Sequence, residues 1–189
     1  MSFVRLLAAA TVAWAIAAPA LAAPPLWTVD KAASRLGFAG EVSGQAFTGV
    51  FRRWDASIRF DPNDLAHSSV SASIDMTSFA TGSADRDALL PDPDWFWTSH
   101  FPRATFVATR FRVLAPGRYA ADGVLTLRGV AKPLTLPFAL AVSGASAKMT
   151  ASVGLNRLAF GVGQGEWKAT DTVPAAVAVT VDLTARRAR

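Results

Sequence analysis

Two arginines interrupt runs of apolar residues and are the strongest candidates for polar chemistry in this sequence. Arg157 follows the apolar positions of one alternating segment, and Arg52 lies between two apolar positions of another. An inward arginine in a dry core is costly unless it is paired. Each therefore needs an acidic neighbour such as Asp55 or Asp87, or an anionic ligand, unless the strand bends there and the side chain faces solvent. Because Arg binds phosphate through two hydrogen bonds, Arg157, with Arg52 or Arg86, is a candidate anion site.

The other residues that could support chemistry have simpler explanations. His67 and His100 lie beside turn signals, and the chain has no Cys, so the sequence predicts no metal site. Asp92 and Asp94 have a spacing that would allow acid–base catalysis, but neighbouring prolines favour turn-forming aspartates. The glycine-rich run 161–165 lacks the following helix that a phosphate-binding loop needs. No serine lies in a Gly-x-Ser-x-Gly motif. The residues therefore predict neither an enzyme nor a bound cofactor.

The elements that must position these side chains are β-strands, because apolar residues recur at every second position. One apolar face comprises Val70, Ala72, Ile74 and Met76. Similar alternation runs through 105–113, 119–127, 134–142, 147–155 and 173–183. Turn signals separate these segments. About eight or nine strands with short connections predict an all-β sandwich or a closed antiparallel barrel.

Two segments depart from plain alternation. In 46–60 the apolar residues change parity, which predicts a bulge or bend near Arg52 and Arg53. Ser83 is a candidate N-cap for a short helix over 84–90 that ends at Pro91. The segment that follows, 92–97, is rich in both turn formers and aromatics. We expect these aromatics, with the leucines at the end of the helix, to cover one end of the barrel and to move when a ligand enters.

The termini have compositions of their own. Residues 1–22 have a basic flank, a short apolar stretch and a small-residue cleavage site, which predicts a cleaved secretory signal peptide. A single domain over 23–189 follows, with a mature start near Ala23. The chain carries a net charge of +5, to which Arg186, Arg187 and Arg189 contribute. Such a tail could contact nucleic acid or anionic lipid, but on an exported protein we expect a solvated, frayed terminus and no nucleic-acid partner.

The inward positions combine small residues with large aromatics. This pattern suits a small barrel that holds one apolar ligand, and it suits a fully packed core equally well. We predict a continuous apolar tunnel whose lining includes Leu134, Leu136 and Leu140.

A succession of short motifs runs along nearly all of residues 23–189. It comprises WTVD at 27–30, TGVF at 48–51, IRFDP at 58–62, SSV at 68–70, RD at 86–87, DWF at 94–96, FPRATF at 101–106, GVLTLRGVAKP at 123–133 and LNRLAFG at 155–161. This succession resembles the YceI-like family of periplasmic polyisoprenoid-binding proteins. One departure is visible at 38–42, where many members of the family carry a histidine.

The resemblance implies an extended lipocalin-like antiparallel β-barrel of about eight strands with a short helical cover. It also implies non-catalytic binding or transport of a long isoprenoid lipid in the periplasm. On this interpretation the candidate head-group ligands are Arg157, Arg52 and Arg86. The candidate tail contacts are Phe47, Phe51, Trp54, Val70, Ala72, Ile74, Met76, Phe96, Phe106, Phe138 and Phe160.

Two alternatives stay open at the level of sequence. The first is a quinone-linked redox or lipid-processing role, and the second is a structural stress protein with a filled core. Homodimerisation and a membrane-associated donor or acceptor of the ligand are also left open.

Overall fold

The computed structural model describes residues 23–188, so the predicted signal peptide at 1–22 and Arg189 lie outside the described residues. The strands are β1 (Leu26–Val29), β2 (Arg35–Val42), β3 (Gln45–Phe51), β4 (Trp54–Arg59), β5 (Ser69–Asp75), β6 (Phe79–Ala80), β7 (Arg103–Ala115), β8 (Arg118–Leu127), β9 (Val130–Ser143), β10 (Ser146–Asn156) and β11 (Ala176–Arg187). The helix α1 spans Ala84–Leu89, and short 3₁₀ turns span Leu65–His67, Arg157–Phe160 and Gly165–Lys168. Among the described residues, none lies in a helix with the length and apolar character needed to cross a membrane.

The strands form a closed antiparallel barrel. From β4 the order runs through β5, β7, β8, β9 and β10 to β11, and β1 closes the ring by pairing with both β4 and β11. β2 pairs with β11 beyond the end of β1, and β3 pairs with β2. Two strands of the ring are therefore interrupted, one made of β1 and β2 and the other of β3 and β4. The predicted eight-stranded antiparallel barrel with a short helix is confirmed.

The predicted bend lies at residues 52 and 53, between β3 and β4. The Arg52 amide donates to the carbonyl oxygen of Ser78 at 3.0 Å, and Arg53 Nε donates to Asp75 Oδ2 at 2.9 Å. These bonds hold the bend against the turn that follows β5. The bend shifts the inward parity by one residue, so that Phe51 and Trp54 both face the interior.

One end of the barrel is plugged by aromatic rings. Phe60 packs against Phe111, Tyr119 and Phe138 with ring centroids 5.4 to 5.8 Å apart. Trp27 Nε1 donates to the carbonyl oxygen of Phe60 at 2.9 Å and ties β1 to this cluster. We call this the closed end.

At the other end the wall divides. β9 pairs with β10 only over 138–143, so residues 130–137 of β9 pair with β8 alone. Pro133 and Pro137 lie in that half, where a missing amide donor is tolerated at a strand edge. Across the barrel, β3 pairs with β6 and not with β5. We call this the covered end, because two segments, 77–102 and 157–175, lie there.

The covering segments contact both halves of the divided wall. Phe96 packs on Phe51 of β3 at a centroid distance of 6.4 Å. Arg128, in the turn between β8 and β9, donates to the carbonyl oxygen of Pro93. Helix α1 precedes these contacts, and the Ser83 hydroxyl caps it by accepting from the Arg86 amide at 3.4 Å.

The C-terminal arginines differ from the expectation. Arg186 and Arg187 belong to β11 and pair with Thr28 and Trp27 of β1, and the Arg187 guanidinium lies 5.4 Å from the Trp27 ring centroid. The expected frayed tail is thus wrong for these two residues, because the strand that closes the barrel continues through them. The strand predicted from residue 173 begins instead at Ala176.

Candidate ligand-binding cavity

The barrel contains a cavity of about 380 Å³ with an almost entirely apolar wall. The three leucines Leu134, Leu136 and Leu140, expected in the tunnel, line it. So do the candidate tail contacts Phe47, Phe51, Trp54, Val70, Ala72, Ile74, Met76, Phe96, Phe106, Phe138 and Phe160. Their contact with a ligand stays a prediction, but the positions expected from alternation form one continuous surface.

The space arises where small side chains meet across neighbouring strands. Ala56 of β4 pairs with Ala72 of β5, and Ala104 of β7 pairs with Ile74 of β5. All four line the cavity. Because three of them end at Cβ, this part of the wall leaves room that larger side chains would fill.

The segment expected to cover one end of the barrel also supplies part of the cavity wall. Leu89, Leu90, Trp95 and Phe96 line the cavity. Trp97 does not belong to the lining: its ring stacks on His100 at a centroid distance of 4.5 Å. Trp97 has a backbone φ of 48°, in the left-handed region that residues other than glycine rarely adopt, and its ring also packs against Phe101 at a centroid distance of 5.5 Å. Whether this segment moves on ligand entry stays a prediction.

Arg157 is buried in the wall, with 4% of its surface exposed. Its guanidinium donates to the carbonyl oxygens of Pro174 at 3.1 Å, Val162 at 2.9 Å, Trp167 at 2.7 Å, Ala169 at 3.4 Å and Val173 at 2.7 Å. It therefore neither pairs with Asp55 or Asp87 nor faces solvent. Burial lowers the pKa of Arg157 from its ordinary value, yet an arginine stays charged in proteins.

The glycine-rich run explains how a loop can wrap this guanidinium. Gly163 has a φ of 83°, and a Cβ there would lie 1.8 Å from Arg157 Nη1. A side chain at this position would therefore displace the arginine. The glycine-rich run 161–165 thus provides space beside a buried charge, a role that its sequence does not reveal.

Arg52 and Arg86 lie in different surroundings. Arg52 is exposed at the bend and does not line the cavity, so the structure does not bring it to Arg157. Arg86 of α1 does line the cavity, as does the exposed Glu41 of β2. The Arg86 guanidinium lies 4.4 Å from the ring centroid of Phe47, and its Nε donates to Thr81 Oγ1 at 3.2 Å.

The remaining polar candidates take part in local structure. His67 Nδ1 contacts Asp64 Oδ1 at 2.8 Å within one turn. The carbonyl oxygen of Asp94 accepts from the amides of Gly163 at 2.8 Å and Gln164 at 2.7 Å, which joins the two covering segments. Within residues 23–188 no group of three or more His, Cys, Asp or Glu side chains could hold a metal ion.

Comparison with known proteins gives a family. The model of the YceI-like domain matches residues 27–185, which include every strand except the first residue of β1 and the last two residues of β11. The chain belongs to the YceI-like family.

Relatives by sequence include a UPF0312 protein of Photorhabdus laumondii, 36% identical over 88 residues that cover 47% of this chain and 45% of that protein. Protein YceI of Escherichia coli O157:H7 is also 36% identical over 88 residues, covering 47% and 46% of the two chains. The matched part of this chain thus spans about half the length of these YceI-like relatives.

Solved structures of similar fold cover more of the chain. BcnA of Burkholderia cenocepacia superposes with a TM-score of 0.80 at 31% identity, covering 83% of this chain and 99% of BcnA. A polyisoprenoid-binding domain from Saccharophagus degradans, implicated in plant cell wall breakdown, superposes with a TM-score of 0.68 at 15% identity, covering 87% and 99%. The second of these likenesses concerns the fold alone.

Proposed function

We propose that this chain binds a long isoprenoid or a similar amphiphile inside the barrel and carries it through the periplasm without changing it chemically. The observation that supports this proposal is the cavity of about 380 Å³ inside the barrel, whose wall is apolar apart from Glu41, Arg86 and Arg157. Membership of the YceI-like family and the fold shared with a polyisoprenoid-binding domain also support it.

Burial of the ligand's apolar tail provides enough free energy for binding. Each methylene taken out of water contributes about 0.8 kcal/mol, so roughly ten methylenes contribute about 8 kcal/mol before the entropic costs of binding. No covalent step is needed to hold such a ligand.

The cavity also counts against the alternative of a structural protein with a filled core. Protein interiors are packed to crystal-like density, with few voids larger than one water molecule. A continuous cavity that runs from the Ala56 and Ala72 pair to the covering residues Trp95 and Phe96 departs from that packing. Such a space is typical of a ligand site.

The decisive experiment compares two phenylalanine substitutions on β5. Ala72→Phe places a large ring in the cavity, whereas Ser71→Phe places the same ring on the exposed outer face one residue away. The full chain is expressed in a bacterium with a periplasm and purified from the periplasmic fraction. Its lipid extract is then analysed by mass spectrometry, and its N-terminus is sequenced.

We expect a prenyl lipid in the extract of the parent and of Ser71→Phe, a strong reduction in Ala72→Phe, and an N-terminus near Ala23. Equal lipid content in all three proteins would contradict the position of the cavity. An extract with no lipid from the parent would contradict carriage, and conversion of added lipid would indicate an enzyme. Retention of an uncleaved chain in the cytoplasm would contradict export.

A further inference from the structure

Arg86 differs from the other charged residues of the cavity wall in how little of its guanidinium is engaged. Nε donates to Thr81 Oγ1, and among the described residues it is the one guanidinium nitrogen of Arg86 with a hydrogen-bond partner. The ion pairs found within residues 23–188 do not include Arg86. Its two terminal nitrogens are therefore open to an acceptor that the described protein does not supply.

The orientation of Arg86 is nevertheless fixed. Thr81 is buried, with 8% of its surface exposed. Its hydroxyl contacts Asp87 Oδ1 at 2.7 Å, and its amide donates to the same oxygen at 2.9 Å. The Asp87 carboxylate is thus bound to Thr81, which in turn holds Arg86 Nε, while the ring of Phe47 packs against the guanidinium. A planar group restrained on one edge and one face loses little entropy when it binds a ligand.

The other charges in the wall are poorly suited to binding an anion. Arg157 donates to five backbone carbonyl oxygens and has little capacity left. Glu41 carries a negative charge and would repel an anion. Arg86 is therefore the wall residue whose charge and available donors match an anionic group.

The position of Arg86 suits the polar end of an amphiphile. The Phe47 ring packs against the Arg86 guanidinium, and Phe47 pairs across the hairpin with Gly40 of β2, where a Cβ would lie 3.0 Å from the same ring. The next residue of β2 is the exposed Glu41. Arg86 thus lies where the hairpin of β2 and β3 meets α1, between the apolar interior and solvent.

We propose that Arg86 binds the phosphate or pyrophosphate head group of the amphiphile whose apolar chain fills the cavity. This inference rests on the proposed function and adds the class of head group and the residue that selects it. A guanidinium with two available nitrogens binds phosphate oxygens in a bidentate manner, which an uncharged alcohol cannot match.

The test measures binding of geranylgeranyl phosphate, geranylgeraniol and inorganic phosphate to the parent and to three variants. Arg86→Met removes the charge but keeps an unbranched side chain against Phe47. Arg86→Lys keeps the charge but loses the bidentate geometry. Arg52→Met removes an exposed arginine outside the cavity and is the matched control. Circular dichroism and thermal melting establish that each variant is folded.

We expect Arg86→Met to weaken binding of the prenyl phosphate by about 10- to 100-fold, the range of a hydrogen bond to a charged group. Binding of the alcohol should change less than about twofold on the same grounds. Arg86→Lys should lie between Arg86→Met and the parent, and Arg52→Met should match the parent. Inorganic phosphate should bind the parent far more weakly than the prenyl phosphate, because it has no chain to bury.

Other outcomes overturn the inference in distinct ways. Equal losses for phosphate and alcohol, or no loss for either, mean that Arg86 does not select the head group while the cavity still binds the chain. Inorganic phosphate bound as tightly as the prenyl phosphate means that Arg86 serves free phosphate. If the parent binds neither prenyl compound, both this inference and the proposed function are wrong.

Discussion

Arg157 is a buried cation whose partners are backbone carbonyl oxygens. Five such oxygens from residues 162–174 accept its donors, and the guanidinium also lies 5.7 Å from the Trp95 ring centroid. These bonds tie residues 162–174 to the barrel wall, in addition to the bonds from the Gly163 and Gln164 amides to the carbonyl oxygen of Asp94. Arg157 therefore stabilises the covered end of the barrel.

We predict that Arg157→Met lowers the free energy of unfolding by about 3 to 5 kcal/mol, because it leaves several buried carbonyl oxygens without a donor. Denaturant titration measures this loss. Arg52→Met, at an exposed position, should change stability by less than about 0.5 kcal/mol. If Arg157 instead binds a head group, its replacement would weaken binding of a prenyl phosphate alone and leave stability nearly unchanged.

Sequence alone could identify Arg157 as an interruption of an apolar face, but it left open whether the side chain points inward or faces solvent, and it did not reveal what the side chain contacts. Alternation along a strand determines which face a side chain occupies. A carbonyl oxygen is present at every residue, so a loop that offers several of them has no distinguishing composition. The same limit explains why the glycine-rich sequence at 161–165 does not reveal that Gly163 lies beside a buried charge.

At the scale of elements, the turn after β5 joins the bend between β3 and β4. Asp75 Oδ1 accepts from Thr77 Oγ1 at 2.7 Å and from the Thr77 amide at 2.8 Å, while Asp75 Oδ2 accepts from Arg53 Nε at 2.9 Å. These bonds, led by those from Thr77, lower the pKa of Asp75 from 3.8 to about 2. The carboxylate form is thus favoured in the folded chain.

This shift predicts how stability depends on pH. Because the pKa of Asp75 is lower in the folded state than the unfolded value of 3.8, its contribution is complete above about pH 4 and is lost as the pH falls toward 2. We expect the loss to stay below about 1 kcal/mol, since the ion pair with Arg53 is largely exposed. Denaturation of the parent and of Asp75→Asn at pH 7, 4, 3 and 2 measures it.

Asp75→Asn should show a shallower fall in stability over this range than the parent. Thr77→Val should behave similarly, because it removes the hydroxyl hydrogen bond that contributes most to the lowered pKa of Asp75. If the free energy of unfolding depends on pH identically in the parent and in both variants, protonation of Asp75 does not affect stability.

Most strands could be predicted from alternation, because each has one face toward the cavity and one toward solvent. The pairing of β1 and β2 with successive parts of β11 could not. It joins residues far apart in the chain, as in the bond from Ser34 Oγ to the carbonyl oxygen of Thr184, 150 positions away. For the same reason the charge of Arg186 and Arg187 suggests an exposed tail, because their partners in β1 are remote in the sequence.

At the scale of the whole molecule, a ligand that fills the cavity should stabilise the barrel as one unit. A ligand that binds only the folded state adds about 2.7 kcal/mol at a free concentration one hundred times its Kd. For a domain of this size we expect Tm to rise by about 5 to 10 °C. Differential scanning fluorimetry with geranylgeraniol measures the shift.

Ser71→Phe should show the same rise in Tm, whereas Ala72→Phe should show little or none. A rise in Ala72→Phe equal to that of the parent would place the ligand outside the cavity.

The position of β11 determines when the barrel can close during synthesis. β11 pairs with β10 on one side and with β1 and β2 on the other. β1 and β2 leave the ribosome long before residues 176–187. The edge of each strand that pairs with β11 therefore has no partner until β11 is synthesised. Closure therefore follows synthesis of almost the whole described chain, and such long-range pairing is intrinsically slow. A nascent chain that stays open for this long can be threaded through a narrow translocation channel, as the export proposed above requires.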